Sequence, residues 1–179
     1  MKELNKIIYN WSFALFDLAE EIKQLKEMTN EVLVIHKTLK KNKKYLNYID
    51  SFDIDLEDKY EKIDQAFGSY NKYIINFIKL AIKAHVAKYL TIIFNKFIEL
   101  SNNKLNVKYG IIYSINPLEK KEIKIFEKQL SKNLNAEVHL VNELREELIA
   151  GIKIKVDDYI IENSIEDQLQ KLEKYINKH

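Results

Sequence analysis

The chain has 179 residues, 46% of them hydrophobic and 31% charged, enough to fill the core of one or two domains and keep the surface polar. Its net charge of +2 supplies no basic field of the kind that dominates nucleic-acid binding, so no nucleic-acid partner is expected. Cysteine is absent, which excludes disulfides, thiolate catalysis and zinc-finger sites. No uncharged apolar run approaches the length of a bilayer-spanning helix, and no stretch has the order of a signal peptide, so direct membrane insertion is not expected. Lysine is abundant while Arg145 is the lone arginine, a bias typical of an AT-rich, bacterial genome.

The first predicted helix covers 3–20. Leu4, Ile7, Ile8, Trp11, Ala14, Leu15 and Leu18 form one stripe at 3.6-residue spacing, and Tyr9, Phe13 and Phe16 form a second, nearly opposite. Two apolar faces fit either a central bundle helix or one that docks a partner. A charge-laced helix over 20–41 follows, ending in the basic run Lys40 to Lys44, which suits the negative C-terminal end of a helix. A short helix over 45–49 and a loop lead to a helix over 56–67. Asp53, Asp55, Glu57 and Asp64 resemble a calcium loop only superficially, because Asp58 stands where that loop needs glycine. They read instead as helix-capping acids.

Gly68-Ser69 breaks the pattern before a strongly apolar helix over 70–84, also apolar on more than one side. A last helix over 86–101 precedes the polar stretch Ser101–Lys104, the predicted domain boundary. Val107 to Ile115 is then strand-like, with Gly110 as a bulge. Asn116, Pro117 and Glu119 give a helix start, and that helix runs to Leu134. Ala136 to Val141 is a second strand. Ile152, Ile154 and Val156 alternate with lysines, Asp157-Asp158 turn the chain, and Tyr159–Ile161 returns as a hairpin. Ser164 and Asp167 open a closing helix over 164–177. The predicted fold is therefore α+β, with a six-helix bundle at 1–104 and a small α/β domain with a β-hairpin at 105–179.

Chemistry is missing from this pattern. His36, His85, His139 and His179 lie on separate elements with no metal-ligand spacing, and three glycines cannot build a phosphate-cradling loop. No catalytic residue, metal site or cofactor is predicted.

The segment Leu148–Leu172 is similar to a motif that reads L-I-G-G-I-x-V-x-V-G-D-x-V-I-D-G-S-I-x-x-x-L-x-x-L. Leu148, Ile149, Gly151, Ile152, Ile154, Val156, Asp158, Ile160, Ile161, Ser164, Ile165, Leu169 and Leu172 fall on it without a gap. Ala150, Asp157, Glu162 and Asn163 depart from it. Trp11–Phe16 resembles Y-A-x-A-L-F, with Trp11 for Tyr and Ser12 for Ala. Residues 76–90 resemble N-F-L-K-L-L-x-x-x-x-R-L-x-x-L through Asn76, Phe77, Lys79, Leu80 and Leu90, with Val86 at the Arg position. These motifs belong to the delta subunit of F-type ATP synthases, the oligomycin-sensitivity-conferring protein family.

The resemblance implies a non-catalytic stator subunit that links the catalytic head of a rotary synthase to its peripheral stalk. It implies an N-terminal domain that takes the N-terminal helix of an alpha subunit between helices 1 and 5, with Trp11, Ala14, Leu15, Phe77, Leu80 and Ala81 as contacts. It also implies a C-terminal domain that grips the peripheral-stalk b subunit, through Ile152, Ile154, Leu169 and Leu172. The expected location is the cytoplasmic face of the bacterial membrane. The second reading is a helical adaptor in an ATPase-like motor or other assembly.

Overall fold

The computed structural model describes residues 2–145, 148, 151–157 and 159–164. The chain is α+β and divides into two compact units, Met1–Leu105 and Asn106–His179. Among the described residues there are seven α-helices and one four-stranded mixed sheet.

The first unit contains α1 (Lys2–Glu21), α2 (Leu25–Lys41), α3 (Lys43–Asp50), α4 (Leu56–Phe67), α5 (Lys72–Lys83) and α6 (Leu90–Leu105), with a 3-10 turn at Ala87–Tyr89 before α6. Each helix turns an apolar stripe to a common core. Helix α6 lies at its centre and packs on both α1 and α2, burying Ile93, Phe94 and Phe97. Helix α5 packs on α4. Three polar residues enter helix interiors by bonding back into their own helix. Ser12 donates to the Ile8 carbonyl at 2.7 Å, Thr29 to Leu25 at 2.6 Å and Ser101 to Phe97 at 2.8 Å. Ser12, which departs from the resembling motif, is thus tolerated in a fully enclosed position. Lys59 is likewise buried, with its ammonium donating to the Ser51 carbonyl.

Helix boundaries differ from the sequence reading where local backbone geometry intervenes. The reading joins the first two helices at residue 20; the structure separates them at Lys23, whose φ is +59°. The polar stretch 101–104 continues α6, and the chain turns at Asn106, where φ is +54°. Asparagine tolerates this left-handed region better than most residues.

The second unit is built on strands β1 (Val107–Ser114), β2 (Glu137–Leu144), β3 (Gly151–Val156) and β4 (Tyr159–Ser164), in the order β2-β1-β3-β4. Strands β1 and β2 are parallel and joined by α7 (Lys120–Leu134); β3 and β4 are antiparallel neighbours. Helix α7 begins later than the Asn116 cap predicts. Glu119 is its N-cap residue, and the Glu119 amide donates to the Glu122 carboxylate at 2.7 Å. A second core joins Ile112, Val138, Leu140, Ile154 and Val156 to Leu130 of α7.

Gly110 does not form a bulge, since it pairs in register with Leu140 and Val156. Its role is close approach. A Cβ there would stand 2.6 Å from the Lys155 carbonyl oxygen and 2.9 Å from Leu140 Cδ2. The hairpin turn holds Asp157 at φ +50°. Ser164, expected to open a helix, instead ends β4 and pairs with Gly151; the rest of the predicted helix, 165–177, with Leu169 and Leu172, lies outside the described residues.

Candidate functional site

The surface feature with the clearest chemistry is a groove of about 480 Å³ in the first unit. One wall is α1, through Asn10, Trp11, Ala14, Leu15 and Leu18; the other is α5, through Tyr73, Asn76, Phe77 and Leu80. Both helices reach it by helical spacing. Positions 11, 14, 15 and 18 share one face of α1, and 73, 77 and 80 share one face of α5. The stretch from Asn10 to Leu18 spans about 12 Å of helix axis, roughly two turns.

The two walls have different main supports, α1 packing on α6 and α5 on α4, and the groove lies between them. Trp11 and Phe77 meet edge to face at its floor, 5.4 Å between ring centroids and 75° between planes. Phe94 of α6 backs Phe77 at 6.0 Å. Asn71 fixes the start of α5. Its side chain accepts from the Tyr73 amide at 2.9 Å and donates to Gln24 at 2.8 Å, while its own amide donates to the Glu31 carboxylate at 2.6 Å. One residue thereby ties the α5 wall to the α1–α2 connection and to α2.

The six residues expected to meet an alpha-subunit helix separate here. Trp11, Ala14, Leu15, Phe77 and Leu80 line the groove, whereas Ala81 is fully enclosed in the core and faces away from it. The stripe on α5 is wider than the groove, and Ala81 falls on its inner side. Leu80 is 58% exposed, while Phe77 is only 7% exposed and Leu15 not at all. Leu18, Tyr73, Asn10 and Asn76 also line the groove without having been singled out. Leu18 and Tyr73 stand one turn from Ala14 and Phe77, so the same spacing carried one turn further reaches them.

In the second unit Ile154 is buried and Ile152 packs against the same core. Both border a smaller recess of about 240 Å³ with Phe126, Leu130 and Ile161. The remaining stalk candidates, Leu169 and Leu172, lie outside the described residues. Among the described residues no group of three His, Asp or Glu side chains is placed to hold a metal, and no helix is long and apolar enough to cross a membrane.

An apolar trough along two helices, with asparagines as its polar lining, has the form that helix-in-groove contacts use. Fold and groove together define an α+β protein of two units with an open apolar trough on its helical unit. The family model of the ATP synthase delta (OSCP) subunit matches residues 9–176, and the chain belongs to that family. It is 53% identical over 178 residues to the ATP synthase subunit delta of Metamycoplasma arthritidis (strain 158L3-1), covering 99% of each chain. It is 29% identical to the protein of the same name in Bacillus subtilis (strain 168), covering 93% of this chain and 92% of that one. Its fold is similar to a chain in the mitochondrial ATP synthase hexamer of Toxoplasma gondii, with a TM-score of 0.63 and 12% identity, over 93% of this chain and 95% of that one. As a member of the family it is a non-catalytic stator subunit of ATP synthase.

Proposed function

We propose that the α1–α5 groove receives the amphipathic N-terminal helix of an ATP synthase alpha subunit, and that the second unit meets the peripheral-stalk b subunit. On this reading the helical bundle sits on the catalytic head at the cytoplasmic face of the bacterial membrane, and the chain carries counter-torque between head and stalk. The observation that carries the first half is the groove itself, lined by Trp11, Ala14, Leu15, Phe77 and Leu80. Two turns of groove suit a guest helix with apolar anchors at i, i+3 or i+4, and i+7. Each anchor fully buried contributes about 1.5–3 kcal/mol, so three or four offset the cost of association. For the stalk, the recess beside Ile152, Ile154 and Ile161 is an apolar place among the described residues of the second unit.

The test uses the full chain and a peptide matching the N-terminus of the alpha subunit from the same organism. Trp11 is the lone tryptophan, so its emission reports the groove directly. Saturable change in that emission supports the reading, together with its loss in a folded Leu80→Asp variant. Binding that Leu80→Asp leaves intact defeats the groove assignment. For the second unit, Ile161→Asp is expected to weaken capture of a C-terminal fragment of the b subunit.

A further inference from the structure

The two rims of the groove carry opposite charge. On α1, Glu3, Asn10, Asp17 and Glu21 fall within about 40° of one another around the helix axis. Asn10 lines the groove, so this edge is its rim, and Glu3, Asp17 and Glu21 are exposed along it. Lys6 is the cation nearest that edge, about 20° beyond Asp17. On α5 the matching edge holds Lys72, Asn76, Lys79 and Lys83, within about 60°. Here Asn76 lines the groove, and the sequence of α5 contains no acidic residue. Lys79 is drawn off to Asp64, 2.6 Å away. Lys72 and Lys83 stay exposed, and the Lys72 ammonium stands 5.2 Å from the ring centroid of Tyr73, a groove residue.

We infer that the guest is an amphipathic helix with oppositely charged flanks, basic toward α1 and acidic toward α5, so that the rims favour one direction of docking over the other. This rests on the reading that the groove receives a helix and adds which helix and which way round. Turning the guest end for end exchanges its flanks. Its acids then face Glu3, Asp17 and Glu21, and its bases face Lys72 and Lys83. An apolar stripe alone discriminates weakly between directions, because leucine contacts leucine either way. Like charges set opposite each other on both rims supply the discrimination. Each exposed pair is weak singly, so the effect is a preference among guests rather than the bulk of the affinity.

The experiment compares three synthetic tryptophan-free helices on the full chain, all with one leucine stripe. One has lysines on one flank and glutamates on the other, one has glutamates on both, and one has lysines on both. Binding is read from Trp11 emission. The split helix is expected to bind about tenfold more tightly than either uniform helix at low salt, and this margin is expected to close at about 0.5 M salt. The paired change Asp17→Lys with Glu21→Lys makes both rims basic and moves the preference to the all-glutamate helix. The reverse pair, Lys72→Glu with Lys83→Glu, moves it to the all-lysine helix. All four positions are exposed, and an unchanged melting curve checks that the variants fold. Equal binding of the three helices overturns the charge inference and leaves helix docking standing. Absence of binding by all three overturns helix docking and the inference with it.

Discussion

Trp11 of α1 and Phe77 of α5 touch edge to face, 5.4 Å apart, where the two walls of the groove converge. Phe77 is nearly enclosed and rests on Phe94 of the central helix, while Trp11 is half-buried and lines the trough. The pair divides the labour of the site. One ring belongs to the core and sets the depth of the groove; the other belongs to both core and surface.

That division separates stability from binding. Leu80→Asp alters a side chain that is 58% exposed, so its effect on stability is expected to stay within about 0.5 kcal/mol. Its effect on docking of a guest helix is expected to exceed tenfold, since it places a charge in the apolar trough. Phe77→Ala removes a ring from the core and is expected to cost about 3–5 kcal/mol of stability. Urea denaturation beside a Trp11 binding titration distinguishes the two variants.

Asn71 holds α5 in place with a cap and two ties. Asn71→Ala removes the acceptor for the Tyr73 amide and the bond to Gln24. The expected loss is about 1–2 kcal/mol. Helix docking is expected to weaken as well, although Asn71 does not line the groove. A variant that lost stability and kept its full affinity would show that the α5 wall is positioned by packing alone.

Gly110 offers a check on the second unit. In Gly110→Ala the new methyl meets the Lys155 carbonyl oxygen and the side chains of Leu140 and Val156. One contact is backbone in a paired strand, which cannot rotate away. The expected cost is about 1–3 kcal/mol, read as a lower urea midpoint.

His36 gives the first unit a pH dependence. Burial, then Lys40 and Lys37, hold its imidazole below the ordinary value of 6.5. Below 6.5 the unfolded chain takes up a proton that the folded chain resists. Stability therefore rises with pH from the lowered folded value up to 6.5, and is lost as pH falls through that window. Melting temperatures measured at about pH 5 and about pH 7.5 are expected to differ less in His36→Gln than in the unmodified chain. An unchanged difference would place the acid sensitivity elsewhere.

Much of this molecule was determined by local pattern. The stripes on residues 3–20 and 70–84 mark them as helices apolar on more than one side, because helical spacing is written directly in residue order. The alternation through Ile152, Ile154 and Val156 marks a half-buried strand for the same reason, and the motifs at 11–16, 76–90 and 148–172 point to the family. Tertiary structure decided which part of each stripe stays open to solvent. Ala81 and Leu80 are neighbours in sequence, yet one is sealed in the core and the other open to solvent. Periodicity gives the width of an apolar face, while the division of that face depends on where α6 and α4 come to lie. Gly110 has the same lesson. Its sequence context permits a bulge, and only the nearness of Lys155 and Leu140, distant in sequence, makes it a site of close approach. Composition sets which surfaces must leave water; the packing of distant segments selects the ones that stay exposed.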